Sequence, residues 1–248
     1  MKSRSQIDID YHEIIAPEYD AIVVEPRDYA NDLLFKPFND FMKNRNNMLD
    51  IGCGTGHMLV RYASEYDNVI GIDHSPGMLK QAKHKCLQNK LSNVELIQTD
   101  LSNFLKNTDK KFDLITMVGC LHHLSPEEFE ATLILVKQSL NHEGLFLIAE
   151  PIETSFVQPP ELVKWNAESI VKNRHYSQHA EDPDEAPINL NTLDLHFEKS
   201  GLNKVTESRG TEIFPHNFPP SENDKKVIRE FHDKYGSEGH VYSALYKV

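Results

Sequence analysis

The sequence holds no run of about 18 consecutive apolar residues, no C-x-x-C pair, a single tryptophan and fewer basic than acidic residues. The first lack leaves no candidate for a membrane-spanning helix. The three cysteines, Cys53, Cys86 and Cys120, are an odd set without metal-site spacing, which argues against a structural zinc or a disulfide framework. A reducing compartment is the simplest reading, and the cytoplasm is the expected location. Against 38 acidic residues the 26 Lys and Arg leave a net charge of −12, a long-range field that repels nucleic acid and anionic lipid. Met1-Lys2-Ser3-Arg4-Ser5-Gln6 is basic but leads into no apolar stretch, so no secretory signal is expected. No internal repeat and no low-complexity segment is found.

What the chain does contain is one strongly patterned stretch, Asn47-Met48-Leu49-Asp50-Ile51-Gly52-Cys53-Gly54-Thr55-Gly56-His57. An apolar run gives way to three glycines on alternate positions, and Met58, Leu59, Tyr62 and Ala63 then recur at helical spacing. Strand, tight turn and helix are predicted. Lacking Cβ, glycine lets the chain turn sharply with positive φ and lets a bulky ligand lie on the backbone. Asp73 ends the next apolar run, Asn68-Val69-Ile70-Gly71-Ile72, about 20 residues on, where a carboxylate suits a pair of ribose hydroxyls. Glycines and acid together predict a nucleotide cradle.

With 248 residues the chain can bury one large α/β domain or a domain with a modest appendage. Alternating patterns predict strands at 47–51, 68–73, 93–99, 112–118 and 144–150, with helices near 57–66, 76–89 and 126–141. Right-handed crossovers then give a parallel sheet covered on both faces. Residues 1–45 precede it: a helix-and-turn segment broken by Pro17, then Leu33, Leu34, Pro37, Phe38, Phe41 and Met42 at packing spacing. This part either only packs, or folds over a ligand with Arg27 and its tyrosines. Residues 151–190 interrupt the alternation with a helix over Glu161–Arg174 and a proline-broken loop, a place for a substrate-recognising lid. His175 and His179 have i, i+4 spacing, but no helix supports them and no metal is expected. In 191–248, a helix capped by Asn191 and stopped by Gly201, a strand near Lys204–Phe214, a helix at 222–235 and a closing strand at 240–248 are predicted.

Ligands of such sheets bind beyond the carboxyl ends of the strands. That selects Gly52 to Gly56 with Cys53 among them, Asp73 to Met78 with His74 among them, Asp100 with Leu101, and Val118 to His123. Ser75 is a predicted N-cap with Pro76 at N1. Met78 is either a cover for a purine or a core residue, and Asp100 either an adenine contact or an N-cap. His122 and His123 are the clearest acid/base candidates, since imidazole changes charge near neutral pH.

These motifs resemble those of class I S-adenosylmethionine-dependent methyltransferases. Leu49 to Gly56 is similar to the family's first motif, Asp73 to Met78 to the second, Asp100-Leu101 to the third, and Phe112 to Ile115 running into Leu121-His122-His123-Leu124 to the fourth. The likeness is firm over 47–150, looser over 191–248 and absent over 151–190. It implies a Rossmann-like, doubly wound, mostly parallel seven-stranded sheet with an antiparallel last strand and helices on both faces. It implies S-adenosylmethionine as cofactor, with Asp73 on the ribose, Asp100 and Leu101 on the adenine, and Asp50, Gly52, Gly54 and Val118 along the methionine moiety. Tyr11 and Tyr19 resemble aromatics that small-molecule members fold over the cofactor. The Asn/Asp-Pro-Pro-Tyr signature of nucleobase and glutamine amino methylation is absent at 118–121, so a small-molecule acceptor is expected, with oxygen favoured and nitrogen or carbon open. Two rivals remain: a nicotinamide-dependent oxidoreductase, which expects G-x-G-x-x-G rather than evenly spaced glycines, and a non-catalytic protein that kept only the cofactor pocket.

Overall fold

The computed structural model describes residues 4–172, 187–217 and 219–248. The strands are β1 (Asn47–Ile51), β2 (Asn68–Asp73), β3 (Val94–Gln98), β4 (Phe112–Val118), β5 (Leu140–Pro151), β6 (Asn203–Gly210) and β7 (Val241–Lys247). They form one sheet in the order β3-β2-β1-β4-β5-β7-β6. The first five are parallel, and β7 runs antiparallel to both β5 and β6. This is the doubly wound, mostly parallel sheet with a reversed last strand that the motifs imply.

Successive strand residues feed opposite faces, as the period of two requires. Leu49, Ile70, Ile115 and Ile148 pack on one side with Leu105, Leu133 and Phe197, while Met48, Val69, Leu114 and Leu147 pack on the other with Leu34, Phe35, Leu59 and Tyr62. The covering helices are α1 (Arg4–Ile15), α2 (Asp28–Phe35), α3 (His57–Tyr62), α4 (Pro76–Gln88), α5 (Leu101–Asn107), α6 (Pro126–Ser139), α7 (Pro160–Lys172), α8 (Leu190–Ser200) and α9 (Glu222–Tyr235). A third, smaller cluster joins Leu162, Ile213 and Ile228 with Tyr29, Leu33 and Trp165, tying α2, α7 and α9 together.

Beyond the tips of β2, β3 and β4, Ser75, Asp100 and Ser125 N-cap the next helix, each accepting a backbone N–H three residues on. Ile51 is level with Ile72 on one side and Met117 on the other. The glycine turn therefore opens where strand order reverses about β1, the crevice such sheets use for ligands.

Several boundaries differ from the sequence expectation. β5 begins at Leu140 rather than 144, through a register shift opposite Phe112 and a positive φ at Glu143. β6 stops at Gly210 instead of Phe214, because the following segment leaves the sheet to bond α7: Trp165 Nε1 donates to Phe214 O at 2.8 Å and Asn166 Nδ2 to Glu212 O at 2.9 Å. The cap of α8 is Asn189, whose side chain accepts from Asn191 N and Thr192 N, and not Asn191. Gly201 ends that helix with φ 71°, as expected. His175, Tyr176, His179, Glu181, Asp182, Asp184 and Glu185 lie outside the described residues. Among the described residues no helix is long and apolar enough to cross a membrane.

Candidate active site

Gly52, Gly54 and Gly56 have φ of 64°, 49° and 88°, the left-handed region in which a side chain is strained. The turn is tied to the neighbouring strand twice. Cys53 N donates to Ile72 O at 2.9 Å, and Gly54 N donates to Asp73 Oδ2 at 2.8 Å. Asp73 Oδ1 accepts from Ser75 N at 2.8 Å, so one carboxylate holds both the glycine turn and the approach to α4. A Cβ on Gly52 would stand 2.8 Å from Cys120 Sγ, whereas one on Gly54 would project into open space.

That space is a cavity of about 260 Å³. Of the residues singled out in the sequence, Tyr19, Gly52, Gly54, Asp73, His74, Met78, Asp100, Leu101, Val118 and His123 line it. Met78 is 1% exposed, a core residue that also lines the cavity, and Asp100 caps α5 through Asn103 N while lining the wall. Tyr11, Asp50, Cys53 and His122 are not in the lining. Tyr11 stands edge-on to His12, 5.2 Å between ring centroids. Asp50 is buried behind the turn, where Thr116 Oγ1 donates to Oδ1 at 2.6 Å and Oδ2 has no partner. Burial pushes its pKa up to about 7, with the Asp73 charge adding to the rise against the Thr116 hydrogen bond. Cys53 is buried beside it, and burial pushes its thiol well up.

The two histidines part ways. His123 lines the cavity, its ring 5.8 Å from that of His12. The His122 side chain is 5% exposed, and its Nδ1 lies 2.7 Å from Oε2 of the buried Glu150. Sequence reasoning gave no role to Glu150, nor to Thr99, Ser102, Glu128 and Thr132 in the wall. The strand-tip rule was able to find Glu150, which stands one residue before the end of β5, much as Asp73 sits at the end of β2.

Residues 48–144 match the family model described as "Methyltransferase domain". Solved structures of similar fold cover the chain from end to end. The chain has the class I S-adenosylmethionine-dependent methyltransferase fold. In the DhpI-SAM-HEP complex the likeness extends over 100% of both chains with TM-score 0.66 and 16% identity, a likeness of fold. By sequence the chain is 32% identical to the cyclopropane-fatty-acyl-phospholipid synthase of Escherichia coli K12 over 108 residues, 43% of this chain and 26% of that one. It is 31% identical to the carboxy-S-adenosyl-L-methionine synthase of Staphylococcus epidermidis over 126 residues, 50% of this chain and 53% of that one. The chain thus spans about a quarter to a half of the length of these curated relatives.

Around the residues that match the family model the N-terminal segment is held by charge. Glu13 Oε1 accepts from Ser75 Oγ and Gly77 N, both at 2.6 Å, which keeps its carboxyl below the usual range. Asp20 Oδ1 accepts from Thr55 Oγ1 at 2.5 Å, inside the glycine turn, and from Lys85 Nζ at 2.7 Å. Asp32 pairs with Arg61. His57 stands 3.8 Å from Asp28 but is a neutral ring at pH 7, because burial and the charges of Arg61 and Lys85 lower its pKa to about 3. These contacts bring His12 and Tyr19 into the cavity wall. Arg27 goes elsewhere: it is not in the lining but pairs with Glu212 at 2.6 Å. Although burial pushes Glu212 up, Arg27 and His240 hold it down at about 2.

The residues fit S-adenosylmethionine. Asp73 has lone pairs left for ribose hydroxyls after two amide bonds, the apolar Met78, Leu101, Val118 and Leu124 offer flanks for a purine and an alkyl chain, and the left-handed glycines leave backbone bare. Among the described residues no group of three or more His, Cys, Asp and Glu is placed to hold a metal ion.

Proposed function

We propose that the protein is an S-adenosylmethionine-dependent methyltransferase acting on a small-molecule acceptor, with O-methylation favoured. The observation that carries the reading is the glycine turn drawn onto Asp73, opening at the switch point into a cavity walled by His12, Tyr19 and His123. In this reading Asp73 takes the ribose, Asp100 and Leu101 the adenine, and Gly52, Gly54 and Val118 the methionine part. Asp50 and Cys53 support the turn from behind. Bound there, the cofactor supplies a methyl group already activated on a sulfonium. The protein contributes alignment and exclusion of water, which carry much of the rate in a transfer of this kind. His123 holds the proton released by an acceptor hydroxyl on its ring nitrogen; an amine acceptor needs only to arrive neutral. Residues 1–45 and 151–190, flanking the 46–150 core and the 191–248 remainder of the sheet, select the acceptor. The charge of −12 and the three free thiols favour a small metabolite in the cytoplasm over nucleic acid.

The sheet order speaks against the oxidoreductase reading, since a reversed β7 stands between β5 and β6 where a dinucleotide sheet runs 3-2-1-4-5-6. Calorimetry tests this directly: S-adenosylmethionine and S-adenosylhomocysteine bind and NAD does not. Binding of NAD alone refutes the reading. A screen of cell metabolites with methyl-labelled cofactor identifies the acceptor, and a cofactor-binding protein that labels nothing favours the non-catalytic alternative.

A further inference from the structure

Glu150 stands one residue before the end of β5 with a side chain wholly removed from solvent. A carboxylate so placed is costly unless its lone pairs are filled. Three donors converge on it: Cys120 N at 3.0 Å and Leu121 N at 2.9 Å on Oε1, and His122 Nδ1 at 2.7 Å from Oε2. All three come from the 3₁₀ turn Leu121–His123 that follows β4 and from its cap, Cys120. An acceptor-only carboxylate fixes the His122 tautomer with its proton on Nδ1. The ring of His122 then lies against that of His123, centroids 4.1 Å apart and planes at 42°. Only His123 reaches the cavity.

We propose that Glu150 and His122 are a positioning pair behind His123: the buried carboxylate fixes the 121–123 turn and, through the His122 ring, sets the direction and proton affinity with which His123 meets the acceptor. The inference rests on His123 being the proton-holding residue of the proposed methyltransferase. It explains why two adjacent histidines are present when one has access to the cavity. The other charged and titratable groups around His123 are His12 from α1, Asp73 and His74 at the β2 tip, Asp100 at the β3 tip, Glu128 from α6, and Cys120 and Tyr19 in the same wall. Of these, Cys120 bonds Glu150 through its backbone N–H, which the Oε1 of Glu150→Gln can still accept, so that replacement acts first on His122.

The test needs no acceptor. Protein labelled with ¹⁵N-histidine, with S-adenosylhomocysteine bound, is titrated by NMR as wild type, Glu150→Gln and His122→Asn, the resonances of His122 and His123 being assigned by single substitution. In Glu150→Gln the midpoint of His122 falls by about one pH unit or more, as loss of an opposite charge at this range requires, the Nδ1–H tautomer is no longer fixed, and the His123 midpoint moves as well. In His122→Asn the His123 midpoint moves while S-adenosylhomocysteine affinity stays within twofold. A folded Glu150→Gln protein with both midpoints unchanged overturns the proposal. If that variant does not fold, an unmoved His123 in His122→Asn overturns it equally. Failure of the wild type to bind S-adenosylhomocysteine refutes the proposed function instead, and the coupling of the two histidines is then read in the free protein.

Discussion

Gly52 and Gly54 share a left-handed backbone, yet the structure assigns them different costs on gaining a methyl group. For either, holding an L-residue in this region costs about 1–2 kcal/mol. At Gly52 the new Cβ also meets Cys120 Sγ at 2.8 Å and its Cβ at 3.3 Å, and overpacking of this kind adds about 1–3 kcal/mol. Gly52→Ala is therefore expected to lose roughly 2–5 kcal/mol of stability, a large part of the 5–15 kcal/mol typical of a domain. Gly54→Ala is expected to lose only about 1–2 kcal/mol, because nothing lies within 4 Å of its Cβ. Its methyl group instead enters the cavity, so the loss falls on cofactor affinity. Urea unfolding followed by circular dichroism measures the first quantity, and calorimetry with S-adenosylhomocysteine the second. Adding Cys120→Ala to Gly52→Ala, with Cys120→Ala alone as reference, recovers part of the overpacking cost and none of the backbone cost. If Gly52→Ala unfolds within 0.5 kcal/mol of the wild type, on the order of an ordinary surface substitution, the strain and the clash are both wrong.

Asp73→Ala removes the acceptor of Gly54 N and Ser75 N, which is also the carboxylate proposed for the ribose, and is expected to weaken cofactor binding by on the order of 2–4 kcal/mol; unchanged affinity by calorimetry contradicts the assignment. Asp50 gives a pH signature. Its folded pKa near 7 lies above the ordinary 3.8, so the native state holds more protons between those values and stability falls as pH rises through that window. Asp50→Asn flattens this slope in unfolding curves. His57, lowered from 6.5 to about 3, acts in the opposite sense: its contribution is complete above pH 6.5 and is lost as pH falls toward 3, a slope that His57→Asn removes. Asp20→Asn loosens the N-terminal segment from Thr55 and Lys85, and limited proteolysis should cut residues 4–24 several times faster with a modest loss of cofactor affinity, since the Asp20–Lys85 pair is partly exposed and screened.

The strands that sequence reasoning placed to the residue, β1, β2 and β4, are apolar runs buried on both faces and bounded by polar residues or glycine, so their ends are written locally. β5 and β6 were misjudged where tertiary contacts decide: β5 starts early by pairing with Phe112, and β6 ends early because residues 211–216 are drawn to α7. The cap of α8 was misplaced by two residues because Asn189 and Asn191 are equally good caps on chemistry alone. In the site, the strand tips were legible because every one of them follows the same rule. Which of His122 and His123 faces the cavity was not, for the turn holding them is oriented by Glu150, 28 residues further on. Glu13 and Asp20 were invisible for the same reason, their partners standing 62 and 35 residues away with no periodicity linking them.

The reversed direction of β7 has a consequence for how such a chain can change. Because β6 runs alongside β5 in the same sense and β7 returns between them, the connections leaving β5 and β6 both depart from the rim that carries the glycine turn. α7 and α9 lie in these connections and share with α2 a small apolar cluster separate from the two that flank the sheet. The cluster takes no residue from the lining of the glycine-turn cavity, and α2 and α7 belong to the segments proposed to select the acceptor, so substitutions there are expected to act on acceptor choice before cofactor binding. Under the proposed function, a library confined to α2, α7, α9 and residues 211–216 is the economical place to look for altered specificity.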